Sequence, residues 1–185
     1  MQLELTWDLV IVIFFAVVIA YTFIVGKNES VKVIISCYIA IVAVAGLGSA
    51  LTTLAADSQD LIATLGFPLY AQAFALWKLG LLAGVIVFIV LKSGMEIQYQ
   101  KEPGSLQNIL LTTALGFATA GLFFVTLLTF VAGKPILDAS LGSSPVLVPL
   151  LAESALLPSF ITYQNLWFSC PALLLIGSGF LGQKS

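Results

Sequence analysis

The chain has 185 residues, 60% of them apolar and only 9% charged, with a net charge of −2 and a mean hydropathy of +1.11. A soluble domain carries roughly a quarter charged residues, so a water-soluble enzyme is excluded, and a disordered chain with it. The absence of His and Arg removes the imidazole base, the usual zinc ligand and the bidentate phosphate clamp, and seven scattered Lys make no basic stripe for nucleic acid.

A hydrocarbon core about 30 Å thick takes roughly 20 apolar residues as helix. Four stretches qualify in chain order: 9–26, 33–56, 71–91 and 106–132. The first follows Glu4 and Asp8 with no Lys before it, and its apolar run is long. It therefore reads as a retained helix, not a signal peptide. The fourth is the longest and is expected to tilt or to run past the interface. Backbone polar groups in lipid must be satisfied internally, and period-2 alternation is missing, so helices follow and not barrel strands. The expected fold class is all-α: a polytopic integral membrane protein with four transmembrane helices in one membrane domain, 1–185. The longest polar loop, Lys92 to Ser105, is too short to hold a soluble unit.

Past the fourth span, Pro135, Pro145, Pro149 and Pro158 break any long helix. The stretch Ser144 to Leu157 is still apolar, so the segment 144–182 is expected to associate with the membrane. Residues 160–182 admit two readings. They form an interfacial or re-entrant segment with Trp167 in the headgroup belt, or a fifth span with Gln164 and Asn165 near one interface.

Lys27 and Lys32 fall between spans one and two, and Lys92 and Lys101 between three and four, whereas the second loop holds Asp57 and Asp60. Cytoplasmic loops collect Lys. The N-terminus and the segment beginning at Lys134 are accordingly expected outside.

Two polar groups are candidates at membrane depth. Lys78 lies about 10 Å into the third span, where it either snorkels beside Trp77 or pairs with Asp57, Asp60 or Glu153. Glu153 sits in an apolar run and is either interfacial or in need of a partner. Small residues mark helix-packing faces: Gly46 and Gly48 in span two, the GxxxG pair Gly80 and Gly84 in span three, and Gly116, Ala120 and Gly121 in span four. They serve packing within the chain or a homo-oligomer interface. The hydroxyls of Thr112, Thr113, Thr119, Thr126 and Thr129 are expected to bond back to their own helix. Cys37 and Cys170 are expected on opposite sides, with no disulfide between them. No nucleophile stands beside a base, so no catalytic, cofactor or metal site is expected.

Several short motifs resemble one family. Trp7-Asp8 opens span one; Gly26-Lys27-Asn28-Glu29-Ser30 forms a basic turn; Leu115 to Gly121 is a Gly/Ala-rich stretch; Ser154-Ala155-Leu156-Leu157-Pro158 is a Ser-x-Leu segment with Pro. This order is similar to that of the colicin V production protein (CvpA) family of small bacterial inner-membrane proteins. The family's Arg residues after span one and near span four are absent here, and its paired Gly is reduced to Gly26. The resemblance implies an inner-membrane location and an accessory role linked to toxin export, and it assigns no site residue. The expected function is a non-enzymatic membrane accessory or scaffold, whose partners are the lipid bilayer and itself or other subunits. The alternatives are a small oligomeric channel or transporter lined by Lys78, Glu153 and the span-four Thr residues, and a subunit of a larger membrane complex.

Overall fold

The first two helices meet at one residue. α1 (Trp7–Val25) ends at Gly26, whose φ of 88° is open to glycine and strained for other residues. α2 (Lys27–Asp57) begins immediately after it. Lys27 and Lys32 were expected in a loop, yet they lie in the first turns of α2. There Lys32 reaches back to Glu29 at 2.7 Å, one helical turn away. The computed structural model describes residues 6–57, 71–92 and 106–181, and no strand occurs among them. Asp60 and Lys101 lie outside the described residues.

α3 (Ala71–Lys92) and α4 (Leu106–Val131) follow. α4 closes with paired backbone bonds, Gly133 N–H to Phe130 O at 3.1 Å and Lys134 N–H to Thr129 O at 3.2 Å. The left-handed residue between them is Gly133. The Pro-rich stretch then folds into short pieces: a 3₁₀ turn at Leu141–Ser143, α5 (Val148–Glu153) and α6 (Leu157–Thr162). Pro149 and Pro158 fall in the first turns of α5 and α6, where a missing N–H is harmless. Last comes α7 (Gln164–Leu181), with Pro171 inside it.

α4 is the central helix. α1, α2, α3, α6 and α7 all pack on it, and its apolar window is 67% buried against 17% for α1. α1 runs antiparallel to α4, with Phe15 beside Phe124 and Phe117, and Thr22 on Gly116. α3 runs antiparallel to α2, with Lys78 at Gly48 and Leu82 and Ile86 in one cluster with Cys37, Ile41 and Val44. α7 runs antiparallel to α4, from Trp167 on Gly121 to Leu174 and Leu175 beside Leu111 and Leu115. Leu141, Leu147 and Leu157 of the broken segment turn inward against Ile11, Phe15, Ala120 and Leu128.

Three helical stretches among the described residues are long and apolar enough to cross a membrane: Trp7–Val25, Lys27–Ala50 and Ile109–Val131. The sequence predicts four, with α3 as the additional one; α3 is present as a helix of 22 residues.

Candidate functional site

The start of α1 is tied to the broken segment by its own polar groups. Asp8 Oδ1 accepts from the Ser154 hydroxyl and from Leu156 N–H at 3.2 Å, and Oδ2 accepts from Ala155 N–H at 3.2 Å. Ser154 Oγ in turn accepts from Leu157 N–H at 3.0 Å. One carboxylate and one hydroxyl thus satisfy three successive amides ahead of α6, which otherwise have no intrahelical acceptor. Beside this junction Trp7 donates its indole N–H to Glu153 Oε2 at 3.1 Å. Glu153 is therefore exposed and hydrogen-bonded at the end of α5.

Beneath the junction lies an aromatic cluster. Phe15 meets Phe117 and Phe160, each with centroids 5.3 Å apart, and Phe160 stacks on Trp167 at 5.0 Å. The Trp167 ring is seated on Gly121, where a Cβ would fall 1.9 Å from Trp167 Cε3. Gly116 is covered in the same way by α1, with Thr22 Oγ1 3.0 Å and Ile19 Cα 3.3 Å from an added Cβ. Ala120 is fully buried. These three residues serve packing within the chain.

Lys78 lays its stem across α2, its Cε 2.7 Å from a Cβ placed at Gly48. It is half-buried on α2, while Glu153 is engaged at the α1 terminus, so each of the two polar candidates sits on a different helix pair. Gly46, Gly80 and Gly84 differ from the other small residues, because nothing lies within 4 Å of an added Cβ at any of them. Gly80 and Gly84 border an open apolar hollow of about 400 Å³ with Trp77, Leu81, Val85 and Phe88.

Four of the five span-four hydroxyls act as expected. Thr113, Thr119, Thr126 and Thr129 donate to carbonyls four residues back, at 2.6–2.8 Å. A hydroxyl used less predictably is that of Tyr38, which donates to Phe168 O, in the turn that runs from Phe168 to Ala172. Pro171 between them cannot donate, and its ring pushes on the preceding turn. The Tyr38 hydroxyl thereby ties α2 to α7 in that turn. Phe168 shares a cluster with Cys37, so the segment carrying Cys170 lies alongside the Cys37 helix, whereas the two cysteines were expected far apart. Both thiols are free.

In the loop after α4, Ser140 N–H donates to Asp138 Oδ1 at 2.8 Å. That bond, with the Ser140 hydroxyl and Lys134 adding to it, holds the Asp138 carboxyl below its ordinary range. Gln164 fixes the start of α7 by donating to Asp138 O at 3.0 Å. Among the described residues, no group of three or more His, Cys, Asp or Glu is placed to hold a metal ion.

Comparison with protein-family models, with curated proteins and with solved structures finds no match.

Trp7 and Ser154 enter the sequence reading only as parts of a resemblance, and Asp8 there and as an acidic residue at the start of span one; no local pattern shows that they meet. Tyr38 and Trp167 were equally beyond reach as partners of Phe168 and Gly121. The one available signal is Pro171 inside an apolar run, which demands an outside partner for the broken helix.

Proposed function

We propose that this protein is a non-enzymatic, multi-pass membrane accessory or scaffold that works by docking an apolar helix face against another membrane helix. The single observation that carries this reading is the split among its small residues. Gly48, Gly116 and Gly121 are covered from within the chain, whereas Gly80 and Gly84 are open on an apolar face of α3. Small residues four apart let two helix backbones approach closely, which is the main source of helix association in lipid. α3 completes a four-span bundle on this reading, with α7 and the broken segment as a re-entrant fifth element. Such a bundle fits the inner-membrane accessory role that the CvpA resemblance implies. The occupant of the face is a second copy or a subunit of a larger complex.

A channel lined by Lys78, Glu153 and the span-four Thr residues draws less support. Four of those hydroxyls are bonded to their own helix, and Lys78 and Glu153 face different helices.

The test is cross-linking of the full chain in native membranes. Replacing Gly80 and Gly84 together by Leu is expected to abolish cross-linked species and to leave helicity unchanged. Unchanged cross-linking in that variant would sink the docking reading. Solute or ion flux in reconstituted vesicles that is lost with Lys78→Met would favour the channel.

A further inference from the structure

A second apolar hollow, of about 480 Å³, opens between α1 and α3, with α2 and α4 as its floor. This is within the range of about 300–1,000 Å³ seen for ligand sites. Its walls include Val17 and Tyr21 of α1 and Val87 and Leu91 of α3, all exposed in the isolated chain. Three of the four hydroxyls on its surface are committed to their own helices, Thr22 donating to Val18 O, Ser30 to Gly26 O and Thr119 to Leu115 O; the fourth is that of Tyr21 on the exposed α1 wall. The hollow therefore offers a guest apolar contact and almost nothing else. A charged or strongly polar guest would lose its hydration there without compensation.

The hollow ends where the cations of the bundle gather. Leu91 in its wall precedes Lys92, and Ser30 on its floor is one helical turn from Lys27. Lys32, on the next turn, is engaged by Glu29, so that pair is locally neutral. An apolar trough leading to two lysines at one end matches a molecule with an apolar tail and an anionic head. We infer that the trough between α1 and α3 holds one acyl chain of an anionic phospholipid, with the headgroup phosphate at Lys27 and Lys92.

Val87 and Leu91 continue the Gly80–Gly84 side of α3 one and two turns on, but the opposite wall of the trough is on α1, so substitution at Val17 tests this site without touching the docking face; the two share the placement in a membrane. The experiment is native mass spectrometry of the full chain released from detergent, with palmitoyl-oleoyl phosphatidylglycerol or phosphatidylcholine added. Wild type is expected to retain phosphatidylglycerol about 30-fold better, as two lysines near an anionic headgroup imply. Val87→Trp and Val17→Trp fill the trough from opposite walls at exposed positions, and each should abolish retention of both lipids. Lys27→Gln with Lys92→Gln should remove the preference and keep the binding.

Equal retention of the two lipids by wild type would overturn the assignment. So would full retention by either Trp variant, or binding of glycerol 3-phosphate, which has no tail, as tightly as the lipid. A trough occupied by a second copy would show as a dimer, without lipid, that Val17→Trp dissociates and that replacing Gly80 and Gly84 by Leu leaves intact; that too would overturn it.

Discussion

Removing the Ser154 hydroxyl takes away the bridge between Asp8 and the Leu157 amide, both of which it serves at once. Ser154 is 5% exposed, so water does not readily replace it. Ser154→Ala should cost about 1–2 kcal/mol, read as a lowered denaturation midpoint in detergent. Asp8→Asn should also lower stability, because the new NH₂ group faces amide donors where a carboxylate oxygen accepted. Tyr38→Phe tests the other long-range hydroxyl. It removes the hydroxyl that Phe168 O accepts from beside Pro171, at a cost of about 1 kcal/mol, read in the denaturation midpoint. Hydrogen exchange is expected to rise in α7 around Phe168 and not along α4; unchanged exchange there would contradict a role in holding α7 on α2. None of these partnerships could be read from the chain. Asp8 and Ser154 are 146 positions apart, and a carboxylate near a helix start is equally at home facing water or the helix dipole.

At the scale of helices, two glycines of the same local type should behave in opposite ways. Gly121→Ala puts a methyl into the Trp167 ring, where neither aromatic nor helix backbone can yield cheaply. A loss of about 1–3 kcal/mol is expected, with partial recovery when Trp167→Leu is added. Gly80→Ala meets nothing within the chain and should leave the denaturation midpoint of the isolated protein unchanged or slightly raised, since Ala favours helix. A destabilised Gly80→Ala monomer would mean that the α3 face is closed from within. The helices themselves were legible, since runs of 20 apolar residues have no other stable form in lipid. Their corners were less so: the first basic turn became the start of α2, because Gly26 alone turns the chain. Which small residue meets which neighbour depends on how the helices rotate about their axes, and the glycine positions alone do not fix that rotation.

For the whole molecule, the antiparallel order sorts charge by end. Lys27 and Lys32 start α2 and Lys92 closes α3 at one end of the bundle, whereas Asp8, Asp138 and Glu153 lie toward the other. The segregation expected from loops thus persists although two of the lysines are helical, because charge near a span end acts on orientation whether or not it is in a loop. Lys134 is the exception, and its neighbour Asp138 offsets it. The two ends give a direct test in intact cells with a membrane-impermeant thiol reagent, in a background where Cys170 is replaced by Ser. Ser143→Cys is exposed on the acidic end and should react from outside. Asn28→Cys, on the lysine end, should react only after permeabilisation. The reverse pattern would invert the bundle in the membrane. It would place the anionic-lipid trough in the outer leaflet and the Asp8–Ser154 junction in the cytoplasm, and the Lys-based orientation would be lost while the helix packing stood.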